Sequence, residues 1–304
     1  MIFASGTKIV AKERSFCLLR YPTARTHTPC IADFARRREI PNRDTFPTPL
    51  PDNAYSDNWI AENGLRLLES FPTGRPWHLV VNFTGSHDPW DVTMAMQERM
   101  RDVAFPPPHA NDQWDAATHQ QIRRNYVAMI ENIDRHVGRF LNVVRTRGEE
   151  HRTLVIYSSD HGEMLGDHNQ WGKSTPYEQS VGIPLIVAGP NVRAHRVSDA
   201  LVSLHDLTAT MLDYADADPL PDMESRSLRL LLAASREDHR AYAVSALNDW
   251  RMISDERYKL ILTDGAAPIV FDRATDPKED RNIAAQAPSV VDRLRYALAR
   301  ETIE

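Results

Sequence analysis

Residues 153–175 read TLVIYSSDHGEMLGDHNQWGKST, and this stretch decides the fold class. The apolar run TLVIY predicts a buried strand. Asp160 and His161 come after the two serines that follow this run, and Gly162 permits a sharp bend after them. A single lysine, Lys173, comes at the end of the loop. Ligands of open α/β sheets gather at the carboxyl ends of strands, so this pattern indicates a binding site.

A second strand ends in a polar side chain of the same kind. The run WHLVVNF, residues 77–83, also predicts a buried strand, and His87 lies just past its end. The Asp160 carboxylate suits a hard divalent cation and the His161 imidazole suits several transition metals, so the two predict a metal site. Lys173 is a compact point charge suited to an anionic oxygen. We expect these four side chains to converge on one cleft.

Each of these residues, taken alone, also has an ordinary structural interpretation. His87 alone is typical of a hydrogen-bonded loop histidine. Asp167 and His168 are interpreted as a hydrogen-bonded pair in the loop rather than as ligands. Trp90 and Trp171 are interpreted as packing residues, although either could wall a pocket.

Patterns outside the opening stretch predict an α/β domain with a mainly parallel sheet flanked by helices. The runs 79–83, 154–157 and 185–187 are expected to be neighbouring parallel strands. After about residue 240 four short runs predict a small antiparallel sheet, closed by a C-terminal helix over about 288–300. Helices before that point are expected at 57–71, 116–147 and 203–216. The predicted domains are an irregular segment 1–52, a core 53–235 and a C-terminal subdomain 236–304.

Composition excludes several classes of protein. The 304 residues carry a net charge of −6, and the one tight basic run is Arg36–Arg38, so no nucleic-acid partner is expected. Two cysteines, Cys17 and Cys30, are too few for a disulfide framework and fit a reduced compartment. The first residues have no apolar core of signal-peptide length, and no stretch is long enough to span a membrane. We therefore expect a cytoplasmic protein with no membrane contact.

The combination of motifs resembles the sulfatase family, within the alkaline-phosphatase-like superfamily. Residues 157–190 look like that family's second metal segment over their whole length, and the resemblance extends over about residues 53–285. It implies that Asp160 and His161 ligate the active-site cation, calcium first and manganese as the alternative. It implies that Lys173 and His87 hold the sulfate oxygens and assist the leaving oxygen. The implied ligand is a small-molecule sulfate ester or a related anion.

The sequence also departs from the family pattern. Family members carry paired aspartates on a front strand, and then a Cys-x-Pro-x-Arg or Ser-x-Pro-x-Arg segment whose Cys or Ser becomes the formylglycine nucleophile. The segments after Cys17 and Cys30 do not match, and no Asp-Asp pair precedes the first helix. We therefore expect an N-terminally truncated fold with two of about four protein ligands and impaired hydrolysis. The alternatives are a phosphonate or phosphate ester hydrolase, a non-catalytic remnant with an anion pocket, or one part of a split protein completed by another chain. A homo-oligomer also remains open.

Overall fold

The computed structural model describes residues 10–13, 15–16, 45–113 and 115–301. The chain divides into two compact units. The N-terminal unit contains the described residues up to Glu150 together with Leu165–Trp171, and the C-terminal unit contains His151–Met164 and the residues from Gly172 onward. Cys17, Cys30 and the arginine run lie outside the described residues.

The N-terminal unit combines three short strands with three helices. In chain order these are β1 Val10–Glu13, β2 Ser15–Phe16, α1 Ser56–Ser70, β3 Leu79–Val80, α2 Met94–Met100 and α3 Ala116–Thr146, with 3-10 turns at Asp52–Ala54 and Asp167–Asn169. β1 pairs antiparallel with both β2 and β3.

Capping and an apolar stripe explain where the long helix lies. The Asp115 side chain accepts hydrogen bonds from the backbone N and the hydroxyl of Thr118, at 2.9 and 2.7 Å, and so satisfies the first turn of α3. The buried face of α3 packs in a cluster with α2 and the loop after β3. That cluster contains Tyr55, Trp90, Val92, Met96, Ile122, Ala128 and Met129. α3 therefore matches the helix predicted over 116–147.

The C-terminal unit begins with a two-stranded ribbon and ends with a four-stranded meander. Its elements are β4 Val155–Ser158, α4 Glu178–Val181, β5 Leu185–Ala188, α5 Asp206–Tyr214, α6 Arg229–Leu232, β6 Ala243–Leu247, β7 Trp250–Ser254, β8 Tyr258–Thr263, β9 Ile269–Asp272 and α7 Pro288–Glu301, with a 3-10 turn at Glu150–Arg152 before β4. Strands β6 to β9 pair in sequence order, all antiparallel.

The terminal helix closes one face of this meander. Leu294 and Leu298 of α7 pack with Ile253, Leu260 and Val270, and all five side chains are almost fully buried. The hydrophobic stripe of α7 therefore has its partner in the sheet. The predicted C-terminal antiparallel sheet with a closing helix is confirmed.

The expected strand direction is wrong. β4 and β5 are neighbours but run antiparallel, with Ser158 opposite Leu185. β3 pairs antiparallel with β1 instead. An apolar run has the same composition whichever way its neighbour runs, so the sequence did not encode direction here. The strands are also less buried than predicted, since β4 is half-buried and Ile186 of β5 is 62 % exposed.

The segment 1–52 is also not wholly irregular, because β1 and β2 lie within it; most of its other residues fall outside the described part. The predicted domain boundaries at 52/53 and 235/236 stay predictions. Within residues 45–113 and 115–301, no helix is both long enough and apolar enough to cross a membrane.

Candidate cation and anion site

The acid and imidazole predicted to bind a metal lie on the turn that follows β4. Asp160 Oδ1 accepts a hydrogen bond from the backbone N of His161 at 3.1 Å. Asp160 Oδ2 lies 3.7 Å from His161 Nε2. The aspartate side chain is 64 % exposed and the histidine side chain is 24 % exposed. The Asp160 carboxylate and the His161 imidazole could therefore both bind one solvent-accessible ion.

A backbone contact sets the tautomer of His161. Its Nδ1 lies 2.8 Å from the carbonyl oxygen of Gly162, and a carbonyl can only accept, so Nδ1 carries the proton. In the neutral ring Nε2 then has the lone pair, on the side of Asp160. This is the arrangement in which ligating histidines are usually held, with the second ring nitrogen donating to a backbone carbonyl.

Close packing against α4 fixes the next residue, Gly162. Its backbone N donates to the carbonyl oxygen of Ser180 at 2.8 Å. A Cβ added at Gly162 would lie 2.0 Å from the carbonyl oxygen of Gln179. Only glycine permits this approach, so the turn that bears Asp160 and His161 rests directly on the backbone of α4.

Lys173 is brought back towards the same turn by two backbone contacts. The Met164 backbone N donates to the Gly172 carbonyl at 2.9 Å, and the Gly172 backbone N donates to Glu163 Oε1 at 2.6 Å. The residue after the lysine is also held, because the Ser174 carbonyl accepts a hydrogen bond from the Trp250 indole N at 3.0 Å. These contacts hold the segment around Lys173 against Glu163 and Met164, and β7 supports it through Trp250.

His87 lies in the loop after β3, in the N-terminal unit. Its Nδ1 is 2.7 Å from the Asp88 carbonyl oxygen and 2.9 Å from Asp88 Oδ1. The loop is tied to the start of α1 by the fully buried Asp57 carboxylate, which accepts from the backbone N of Thr84 at 2.7 Å and of Gly85 at 3.0 Å. Asp57 holds the turn that leads to His87, and its place inside a helical pattern gave no sign of this.

The structure therefore groups the predicted residues only in part. Asp160, His161 and Lys173 belong to the C-terminal unit, whereas His87 belongs to the N-terminal unit. Convergence of His87 with the other three stays a prediction. Glu163, Trp250 and Ser180 were not foreseen, because their contacts depend on tertiary folding.

The two tryptophans have the packing role expected of them, whereas the expected hydrogen-bonded pair of Asp167 with His168 stays a prediction. Asp167 Oδ1 accepts from the backbone N of His109 at 2.9 Å and lies 3.2 Å from Arg123 Nη2. Trp90 and Trp171 pack together with their ring centroids 5.5 Å apart in the core of the N-terminal unit.

The donor pair fits two ligands of a divalent cation. The carboxylate suits calcium and the imidazole suits manganese. In the described part of the chain, no group of three or more histidine, cysteine or acidic side chains is arranged to hold a metal. A calcium ion usually takes six to eight oxygen ligands, whereas this pair offers one carboxylate and one imidazole.

Two protein-family models match this chain. The sulfatase family model matches residues 20–217. The chain belongs to the sulfatase family. A second model, the C-terminal domain of N-sulphoglucosamine sulphohydrolase, matches residues 166–303. The first matched range contains Asp160, His161 and Lys173, and the second contains Lys173. The matches confirm the resemblance to the sulfatase family that the motifs indicated.

Curated sulfatases are similar over much of the chain. An arylsulfatase of Clostridium perfringens is 24 % identical over 286 residues, which is 84 % of this chain and 59 % of the relative. Arylsulfatase K of Bos taurus is 34 % identical over 198 residues, which is 59 % of this chain and 36 % of the relative. The matches thus cover between about a third and three fifths of the length of these relatives.

Solved structures share the fold. The protein BT4656, solved with its substrate D-glucosamine-2-N,6-O-disulfate, has a TM-score of 0.75 at 20 % identity and covers 81 % of this chain and 69 % of that chain. A phosphonate monoester hydrolase of Silicibacter pomeroyi has a TM-score of 0.76 at 20 % identity, covering 91 % and 68 %. The expected alkaline-phosphatase-like fold class is confirmed, although β3, β4 and β5 pair antiparallel in the described residues rather than parallel as expected.

Proposed function

We propose that this sulfatase-family chain binds a divalent cation through Asp160 and His161 and a sulfate ester anion through Lys173 and His87. Calcium is the first cation proposed and manganese the alternative. The observation that supports this most directly is the Asp160 carboxylate 3.7 Å from a His161 nitrogen at the end of β4, in a chain of this family. Carboxylate oxygens and imidazole nitrogens are the ligands that these ions accept.

Each side chain has a separate task in this proposal. A bound cation would supply Lewis-acid stabilisation of anionic ester oxygens. The Asp160 carboxylate offsets positive charge, and the Nδ1–H of His161, donating to Gly162, keeps Nε2 turned towards Asp160. The Lys173 ammonium pairs with an anionic oxygen. His87 Nδ1 donates to the Asp88 carbonyl, so only the doubly protonated imidazolium form of His87 would donate from Nε2 to an ester oxygen.

We propose further that these 304 residues do not hydrolyse the ester efficiently on their own. They contain neither a Cys-x-Pro-x-Arg nor a Ser-x-Pro-x-Arg segment, and no Asp-Asp pair before α1. Without a covalent nucleophile the two-step route through an intermediate is not available. A non-catalytic binding role, or completion by a different chain that carries such a segment, is consistent with this composition.

A sulfated sugar is the class of ester that we propose first, because the fold is shared with a protein solved with a disulfated glucosamine. Phosphonate or phosphate monoesters are the second candidate, because two phosphonate monoester hydrolases share the same fold with TM-scores of 0.76 and 0.74. Both classes present a tetrahedral anion to the same side chains.

Manganese titration of histidine-labelled chain tests the cation site. We expect Mn²⁺ to broaden the His161 ring resonances in NMR spectra, with half-saturation far above that of a complete site. Asp160→Ala is expected to remove the broadening, whereas the exposed Asp199→Asn is expected to keep it. Calcium is expected to raise the melting temperature only slightly, since weak binding contributes about 1 kcal/mol or less unless ligand far exceeds Kd. Broadening that survives Asp160→Ala would contradict the assignment.

A further inference from the structure

A buried ion pair links the C-terminal meander to the element that supports the cation pair. Lys259 of β8 and Glu279 have side chains that are each 1 % exposed, and Lys259 Nζ lies 2.6 Å from Glu279 Oε1. Lys259 Nζ is also 3.5 Å from Glu178 Oε2. Charged side chains are almost never so deeply buried unless they are paired.

The second oxygen of Glu279 reaches the backbone of α4. Glu279 Oε2 accepts a hydrogen bond from the backbone N of Glu178, the first residue of that helix, at 2.9 Å. Two residues later the Ser180 carbonyl accepts from Gly162, and the Gln179 carbonyl leaves no room for a Cβ at Gly162. A continuous set of contacts thus runs from Lys259 to the turn bearing His161.

Stability alone does not account for this arrangement. Replacing a buried ion pair by apolar side chains of similar volume is often neutral or stabilising, so the charges are not needed to fill the core. The distinctive feature is that one carboxylate binds an ammonium with one oxygen and a helix-initiating N–H with the other. Lys259 thereby fixes the orientation of Glu279, and Glu279 fixes the position of α4.

We propose that Glu279, oriented by Lys259, is a positioning residue for the Asp160–His161 pair. It acts through α4 and Gly162 and touches neither the cation nor the ester. The effect on cation binding rests on the proposed cation site. The effect on the position of Gly162 does not depend on that site.

Two double variants without buried charge separate positioning from packing. Lys259→Met with Glu279→Gln keeps a carbonyl oxygen that can accept from the Glu178 backbone N. Lys259→Met with Glu279→Met has a similar volume and no acceptor. Two readouts are used: amide hydrogen exchange at Gly162, and Mn²⁺ broadening of the His161 ring. Exchange at the backbone amides of the paired strands β6 and β7 reports whether the meander stays folded.

The Met/Met variant is expected to exchange its Gly162 amide about fivefold faster and to need about fivefold more Mn²⁺, which corresponds to one lost hydrogen bond. The Met/Gln variant is expected to stay close to wild type in both. Equal behaviour of the two variants, with the meander intact, would overturn the proposal. If wild type itself shows no broadening, the proposed cation site fails, and the Gly162 exchange rates still decide whether Glu279 positions the turn.

If the Met/Met variant does not fold, Glu279→Asp replaces it. Aspartate keeps the charge beside Lys259 but is one methylene too short to reach both partners. Faster Gly162 exchange in Glu279→Asp supports the positioning role, and unchanged exchange refutes it.

Discussion

At the scale of single residues, His136 shows how packing alters chemistry away from the candidate site. It lies buried on α3, with Nε2 donating to Asn58 Oδ1 at 2.7 Å and Nδ1 accepting from Arg139 at 3.2 Å. Burial, and then the charges of Arg139 and Arg135, lower the pKa of His136 from 6.5 to about 4, against a smaller opposing effect of Glu62. The folded chain therefore holds this ring neutral, in its Nε2–H tautomer.

This lowered pKa predicts a loss of stability in mild acid. Between pH 6.5 and pH 4 the unfolded chain binds the proton and the folded chain does not, so stability is complete above that window and falls as the pH falls through it. By linkage, His136 alone removes about 2 kcal/mol between pH 7 and pH 5. Urea unfolding of His136→Gln should show a pH dependence smaller by that amount. An equal pH dependence in His136→Gln and wild type would refute the assignment.

Trp250 gives a second test at this scale, because its indole N–H supports the segment around Lys173. Trp250→Phe keeps an aromatic ring and removes the hydrogen bond to the Ser174 carbonyl. We expect a loss of about 1 kcal/mol and about fivefold faster exchange of the Gly172 amide. Met252→Leu, in the same strand, is the control for repacking and should leave that amide unchanged. Unaltered Gly172 exchange in Trp250→Phe would show that β7 does not support the lysine.

At the scale of elements, the contact between the β4 turn and α4 predicts opposite effects for two glycine substitutions. Gly162→Ala places a Cβ against the backbone of Gln179, so we expect a loss of about 1–3 kcal/mol and weaker Mn²⁺ broadening at His161. Gly138→Ala in the exposed middle of α3 meets no atom within 4 Å and should stabilise by about 0.5–1 kcal/mol. Thermal unfolding measures both changes. A Gly162→Ala chain as stable as wild type would contradict the close packing described for this turn.

The elements also show which parts of the fold a sequence can predict. α3 was predictable because its apolar stripe and its Asp115 cap lie within one continuous segment. The direction of β4 relative to β5 was not predictable, because the same apolar run fits a parallel or an antiparallel neighbour. The direction depends on where the chain between the two strands returns. Asp160 and His161 were predictable as a pair because they are adjacent. Glu279 was not, because it reaches α4 across about a hundred residues of sequence.

At the scale of the whole molecule, two observations define the account. The chain belongs to the sulfatase family, and its C-terminal unit contains Asp160, His161 and Lys173, with contacts from Glu279 to α4 and from Trp250 of β7 to Ser174. The 304 residues contain no nucleophile segment of the family pattern. We propose, as the central point, that this chain binds a cation and an ester anion but does not turn the ester over efficiently on its own.

Hydrolysis of a chromogenic aryl sulfate by the purified 304-residue chain, with calcium or manganese added, tests this claim most directly. We expect no turnover above the buffer rate, and none with a phosphonate monoester, although Mn²⁺ is still expected to broaden the His161 ring. Turnover that appears only after adding a second polypeptide with a Cys-x-Pro-x-Arg segment would agree with the claim and identify the chain as one part of a split enzyme. Robust turnover by the chain alone, abolished by Asp160→Ala, would contradict it and would direct attention to Cys17 and Cys30 as nucleophiles.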